Sequence, residues 1–362
     1  MKKIVHLVVD DKFIDSAINI FSSCKNALHI FAIESTKKNY THIQSKIVRQ
    51  INIATWGEIF DNDVAAVIFH GLPINHFKFI AKTPPGVKIV WLGWGYDYYG
   101  LLNNTFKDGI IMEETSKILD SGGCTLSNRR PYKKFTHEMI ALASRIDIFS
   151  PVLEIEFNMI KKENKWMKAN YFLWNYGTLQ DDIITDGING FSDGENIMVG
   201  NSASPMNNHV DVFKIIKNNI DLAGKTIVCP LSYGDKNYAN KVIKIGADIF
   251  GKSFDPITSF ISKDAYVKRI MSCNIFALGS IRQQALGNIF ISGFYGREVF
   301  LHESNPISPY LKKIGFSFGN LQEIGPQKNY DKNKNRDIVA DLLSKEKKHS
   351  QTYNLINLLI EN

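Results

Sequence analysis

Short apolar runs alternate with helical patterns along almost the whole chain, and that alternation limits what it can fold into. Strand-like runs occupy residues 4–9, 28–33, 51–54, 65–70, 87–92, 146–149 and 171–174, then 196–200, 226–230, 274–277 and 299–301. Apolar residues recur at helical spacing over 14–23, 74–81, 137–144 and 152–161, then 207–220, 237–250, 265–271 and 285–292. Near-continuous apolar strands need cover on both faces, and a helix after each strand makes the neighbours parallel. The expected class is therefore α/β with parallel sheets.

A chain of 362 residues exceeds one small core and fits two such domains. The stretch from Tyr176 through Asp181 and Asp182 to Gly194 is rich in Gly and Asp and lacks apolar periodicity, which suits a linker. The expected layout is a Rossmann-like domain over 1–176, a linker over 177–194, and a second Rossmann-like domain over 195–330. A helical tail over 331–362, with Ile338, Leu342, Leu355 and Leu359 in register, packs back on the domains.

The net charge of +7 invites a nucleic-acid reading. The cations cluster locally, as at Arg129, Arg130, Lys133 and Lys134, and no zinc-finger, RNA-recognition or basic-zipper pattern accompanies them. No nucleic-acid partner is expected. Tyr132 and Phe135 within that cluster suit the headgroup layer of an anionic membrane, and a solvated helix start is the alternative. No run approaches the ~20 apolar residues of a membrane span. The first apolar run is short, is closed by Asp10-Asp11 and reads as a buried strand rather than a signal peptide. Cys24, Cys124, Cys229 and Cys273 are scattered, without metal-ligand spacing, as in a reduced cytoplasmic protein.

Two strand ends in the second half carry the small and polar residues that present backbone N–H groups to phosphate. One run continues into Gly200-Asn201-Ser202, with Asn207-Asn208-His209 at the next helix start; the other continues into Arg282-Gln283-Gln284, with Gly287-Asn288. Ordinary turns and helix caps use the same residues. Arg282 supplies a fixed cation for a departing diphosphate, or else a surface ion pair. In the first half, Asp97 sits among Trp94, Tyr96, Tyr98 and Tyr99 beyond a buried strand. It is either a general base among rings that stack on sugar faces or the organiser of a turn.

The pieces Val199-Gly200-Asn201-Ser202 with Asn208-His209, Pro230-Leu231-Ser232-Tyr233-Gly234, and Arg282-Gln283-Gln284 with Gly287 resemble a bacterial family. So do Phe69-His70-Gly71 and Trp94-Gly95-Tyr96-Asp97-Tyr98-Tyr99. That family is the TDP-Fuc4NAc:lipid II transferases, 4-alpha-L-fucosyltransferase-like glycosyltransferases of bacterial surface polysaccharide synthesis. The likeness spans roughly residues 65–320 in islands. It implies a GT-B fold and transfer of a 4-amino-4,6-dideoxyhexose-type sugar from a TDP-sugar to a polyprenyl-diphosphate-linked saccharide. The pathway is enterobacterial common antigen or O-antigen synthesis, at the cytoplasmic face of the inner membrane. A GT-B-type nucleotide-sugar epimerase and a non-catalytic sugar-binding module are the alternatives. The donor is expected at Gly200, Asn201, Ser202, His209, Tyr233, Gly234, Gln283, Gln284, Gly287 and Asn288. Glu303 takes the ribose by analogy, in competition with Glu298. His70 and Trp94 line the acceptor side. No metal dyad is evident, so no metal or other cofactor is expected.

Overall fold

The computed structural model describes residues 1–36, 39–119, 134–185, 187–188, 190–191, 194–325 and 330–361. The chain forms two units. One comprises Met1–Thr105, Tyr132–Asp181 and Leu343–Asn362, the other Phe106–Pro131 and Asp182–Leu342.

The first unit is built on seven parallel strands: β1 (Lys3–Val8), β2 (Leu28–Glu34), β3 (Arg49–Ile51), β4 (Val64–His70), β5 (Lys88–Leu92), β6 (Ile148–Ser150) and β7 (Asn170–Tyr171). Their order is β3-β2-β1-β4-β5-β6-β7. The central strands β1 and β4 are sealed from solvent along most of their length. The helix Ile14–Ser23 turns Ile14, Ala17, Ile18 and Phe21 inward, the i, i+3, i+4, i+7 stripe that its sequence carries. The helix Lys345–Ile360 joins it: Leu355, Ile356 and Leu359 enter the same core. Trp174 Nε1 donates to Thr352 of that helix at 2.9 Å.

The second unit has six parallel strands: β8 (Asn196–Val199), β9 (Ile227–Pro230), β10 (Phe254–Ile257), β11 (Cys273–Leu278), β12 (Glu298–Leu301) and β13 (Gly319–Asn320). Their order is β10-β9-β8-β11-β12-β13. Val212, Phe213 and Ile216 of the helix His209–Asn219 pack on Ile197 and Val199 of β8.

Three features depart from the sequence expectation. The helix Glu113–Leu119 precedes β6 in the chain yet belongs to the second unit. Its start is fixed by buried acceptors there: Asp211 takes the N–H groups of Glu114 and Thr115 at 3.0 and 2.9 Å, and Asn208 takes that of Met112 at 2.7 Å. The tail is not one element, because the helix Lys332–Leu342 falls in the second unit and Lys345–Ile360 in the first. The strand β10 contains Asp255 and Pro256 and lies at the sheet edge, where a missing N–H leaves no neighbour unbonded.

In both sheets the first strand of the unit lies beside the fourth, β1 by β4 and β8 by β11. Connections leave such a pair in opposite directions, so the loops at the carboxyl ends diverge and open a crevice.

Candidate active site

In the second unit the crevice at β8 and β11 gathers most of the residues that the sequence singled out. The chain leaves β8 through Gly200 at φ +70°. A Cβ there would lie 2.6 Å from His209 Nε2, so glycine lets the strand end pass over the imidazole. His209 is fully buried, and its Nδ1 meets Tyr238 OH at 2.9 Å. Burial pushes its pKa down to about 3, so the ring is neutral, and Nε2 has no hydrogen-bond partner among the described residues.

Asn201 links three loops. Its Nδ2 donates to Tyr233 OH at 2.8 Å, and its Oδ1 accepts from Gln284 Nε2 at 2.9 Å. The β9 loop is held to the β8 loop at Gly234, φ +114°, where a Cβ would fall 2.6 Å from the Ala203 carbonyl oxygen. The ring of Tyr233 is 53% exposed above this junction. Ser202 is buried and receives Asn207 Nδ2 on its carbonyl at 2.9 Å.

The loop after β11 holds Arg282 buried. Its guanidinium donates to the Gln283 carbonyl at 2.7 Å and its Nε lies 3.1 Å from Met206 Sδ. Gln283 is buried beside it. The helix Leu286–Phe294 starts immediately beyond, and the Ile289 N–H bonds back to the Ala285 carbonyl. The N–H groups of Leu286, Gly287 and Asn288 precede that first intrahelical bond and are available to a ligand. Gly287 is exposed, and a Cβ on it would meet nothing within 4 Å. Asn288 Nδ2 donates to Tyr266 OH at 2.6 Å.

Among the described residues, two non-glycine residues adopt positive φ: Asn208 at +53° and Ala285 at +59°. Both occupy the N-cap positions of helices that follow the crevice strands. Such strain persists where surrounding contacts over-determine it, and it concentrates at ligand sites. Asn208 is held by Gly279 and Ile110, donating to their carbonyls at 2.8 and 3.3 Å.

Glu303, at the end of β12, is exposed, and Glu298 lies at the opposite end of that strand. Beyond that strand end Asn305 is buried, and its Nδ2 donates to the Ser280 carbonyl at 2.8 Å. Sequence reasoning passed over it, although Asn305-Pro306 is a turn signal after an apolar strand.

In the first unit, Trp94, Tyr96, Tyr176 and Phe13 surround the carboxyl ends of β1 and β4. Trp94 sits 4.8 Å from Tyr176, 6.4 Å from Tyr96 and 6.0 Å from Phe13, between ring centroids. Gly71 makes room, since a Cβ there would touch Tyr96 OH at 3.0 Å. Asp97 is buried beneath this wall. Its Oδ1 accepts the Trp94 N–H at 2.9 Å, and its Oδ2 accepts Leu72 N–H at 2.9 Å and Trp91 Nε1–H at 2.7 Å. Burial raises its proton affinity against those bonds. Both oxygens thus brace the turn that follows β5.

His70 is a link in a buried chain. Its Nδ1 meets Tyr176 OH at 2.7 Å, its Nε2 meets His6 Nδ1 at 3.0 Å, and His6 Nε2 meets His29 Nδ1 at 2.9 Å. Burial lowers all three imidazole pKa values, to about 3 for His70 and about 4 for His29. No sequence signal joined these residues. They meet because β2, β1 and β4 are adjacent. Of the basic-aromatic cluster, Arg129, Arg130, Tyr132 and Lys133 lie outside the described residues, as does Cys124. Lys134 is exposed, whereas Phe135 packs edge-on to Phe77 at 5.5 Å and against Trp91 at 6.4 Å, so its ring serves the fold.

Residues 142–323 match the family described as 4-alpha-L-fucosyltransferase glycosyl transferase group 56. The chain belongs to this family. No curated protein matches it in sequence. Its structure is similar to that of a glycosyltransferase from Rickettsia africae ESF-5, with TM-score 0.64, 10% identity, and coverage of 100% of this chain and 99% of that one. It is also similar to sucrose-phosphate synthase from Thermosynechococcus elongatus, with TM-score 0.68, 8% identity and 99% of each chain covered. Anabaena Alr3699/HepE, in complex with UDP and glucose, gives TM-score 0.53 at 10% identity, covering 100% of this chain and 96% of that one. At such identities the likeness establishes the fold, which is GT-B. Family and fold together make the group 56 protein a glycosyltransferase acting as a hexosyltransferase. Among the described residues, no helix is long and apolar enough to cross a membrane.

Proposed function

We propose that this glycosyltransferase moves a Fuc4NAc-like 4-amino-4,6-dideoxyhexose from a TDP-sugar to a polyprenyl-diphosphate-linked saccharide. The setting is O-antigen or enterobacterial common antigen synthesis on the cytoplasmic face of the inner membrane. One observation carries the donor side: two helices with strained N-caps flank a strand-end crevice that holds a buried arginine. The UDP in the Anabaena HepE structure is in keeping with a nucleotide-sugar donor in this fold.

In this reading the diphosphate lies against the N–H groups of Leu286, Gly287 and Asn288. As the bond from the anomeric carbon to the phosphate oxygen breaks, its electron pair leaves with the nucleotide. Arg282 and the helix start meet that charge without a metal ion or other cofactor. Asn201, Gln283 and Gln284 fix the loops and offer amides to phosphate or sugar oxygens. Gly200, Ser202 and His209 shape the turn beneath them. Tyr233, beside Gly234, presents a ring to the nucleotide, and Glu303 or Glu298 takes the ribose. The acceptor saccharide belongs to the first unit, against the Trp94 ring, with His70 holding Tyr176 behind it.

The test is incubation of the pure protein with TDP-Fuc4NAc, with and without a polyprenyl-diphosphate-linked disaccharide. Release of TDP that depends on the acceptor supports the reading. A change in the sugar without acceptor, or binding without turnover, refutes it.

A further inference from the structure

The first unit carries imidazoles deep among largely apolar side chains. His6 in β1 and His70 in β4 are sealed from solvent. His6 lies nearly parallel to Phe31, 4.4 Å between centroids, and edge-on to Phe21 at 4.6 Å. Phe21 packs in turn on His70 and Trp174, at 5.8 and 5.1 Å. A phenylalanine at position 6 would suit all these contacts. Replacing both partners of a buried hydrogen bond by apolar groups of the same shape is nearly neutral or stabilising, so packing does not account for the imidazoles.

Their hydrogen bonds form a line that ends on the ring wall. From Tyr176 OH it runs through His70 and His6 to His29 in β2, in steps of 2.7, 3.0 and 2.9 Å. These four residues, and the Trp94 ring on which Tyr176 packs, all belong to the first unit. Burial keeps the three imidazoles neutral, and a neutral imidazole has one N–H and one lone pair. The bonds must therefore all point the same way. Either Tyr176 donates to His70 Nδ1 and all three histidines carry their proton on Nε2, or His70 Nδ1 donates to Tyr176 and all three carry it on Nδ1. The first leaves the tyrosine oxygen to accept a further bond, and the second frees its O–H to donate one.

We infer that His6 is a positioning residue for saccharide recognition: through His70 it fixes the Tyr176 hydroxyl, which bonds a hydroxyl of a sugar lying on the Trp94 ring. This rests on the glycosyl-transfer reading, which puts the acceptor saccharide at that ring. Trp94 and Tyr176 are part-exposed, and Tyr96 beside them is 45% exposed. A sugar hydroxyl both donates and accepts, so it meets either direction of the line. A phosphate oxygen only accepts and meets one. The line therefore suits the saccharide of an acceptor rather than its diphosphate.

Nitrogen NMR of the wild-type imidazoles distinguishes Nδ1–H from Nε2–H. One tautomer shared by His6, His29 and His70 is expected, and a mixed set overturns the inference. Tyr176→Phe and His6→Phe should each raise KM for the polyprenyl-diphosphate-linked disaccharide about 2- to 12-fold, the worth of one neutral hydrogen bond. Saturated kcat and TDP affinity should not change. Because His6 acts only through Tyr176, the double variant should be no worse than Tyr176→Phe alone. A merely structural His6 would add its own loss in either background, so effects that multiply overturn the assignment. Should His6→Phe fail to fold, an unchanged KM in Tyr176→Phe still removes the hydroxyl from the site. If wild type transfers nothing to that lipid, the acceptor reading fails, and titration of the lipid-free disaccharide into wild type and Tyr176→Phe decides the hydroxyl by itself. Weaker binding by the variant supports its role; equal affinity, or no binding by either, overturns it.

Discussion

Replacing Gly287 by Ala should stabilise the protein and weaken its hold on nucleotide. A Cβ at this position meets no atom within 4 Å, and the residue is in the first turn of the helix Leu286–Phe294 at ordinary negative φ. Removing the glycine's excess freedom in the unfolded chain should add up to about 1 kcal/mol, the usual helical difference between the two residues. For a chain of this size that is a rise of roughly 2 °C in Tm. The opposite effect arises with ligand present. If the diphosphate rests on the N–H groups of Leu286, Gly287 and Asn288, the new methyl occupies the space over which phosphate approaches. Losing one charge-assisted bond costs about 1.5–3 kcal/mol, or roughly 10- to 150-fold in Kd. Calorimetric titration with TDP and with UDP, beside thermal melts, measures both terms. An unchanged Kd in a stabilised variant would show that the diphosphate does not lie over Gly287, and the donor site would have to move from this helix start.

Arg282→Ala should lower turnover by about 2–4 kcal/mol of transition-state stabilisation; wild-type turnover in a folded variant removes Arg282 from the site. Gly200→Ala combines φ +70° with a Cβ 2.6 Å from His209 Nε2, so the imidazole must move away from Tyr238. A loss of roughly 2–3 kcal/mol is expected from the backbone conformation and that bond, and a melt within about 1 °C of wild type contradicts it. His29, His70 and His209 have folded pKa values of about 4, 3 and 3, below their unfolded value. Their contribution is complete above about pH 6.5 and is lost as pH falls, by about 1.4 kcal/mol per pH unit for each. Tm should therefore drop steeply from about pH 6.5 to 4.5, and a flat profile refutes their burial as neutral rings. Replacing Arg129, Arg130, Lys133 and Lys134 by Ser should abolish low-salt sedimentation with anionic liposomes, each cation contributing roughly 1 kcal/mol; equal sedimentation makes the cluster a solvated face.

The α/β class and most strands were legible because strand burial writes itself into uninterrupted apolar runs such as Val67, Ile68 and Phe69. The strand β10 was not, since an edge position tolerates Asp255 and Pro256. In the second unit the sequence exposed the loops but not their wiring. Asn201 and Gln284 are 83 residues apart, and only the neighbouring of β8 and β11 makes them partners. Asp97 shows the limit of composition. Its aromatic setting suggested chemistry, yet the same setting buries it where Trp91 and two N–H groups engage both oxygens.

The two units are woven from five alternating segments, and the first is completed by Leu343–Asn362. During synthesis, the core formed by β1, β2 and β4 must therefore wait for Leu355, Ile356 and Leu359, which leave the ribosome only after the whole second unit. Until then Phe21, Phe31 and Trp174 lack part of their cover, and the nascent chain carries an adhesive face throughout that interval. Neither unit can be excised as a continuous stretch of gene. A chain cut after Leu342 would be expected to emerge as a chaperone client rather than as a smaller enzyme.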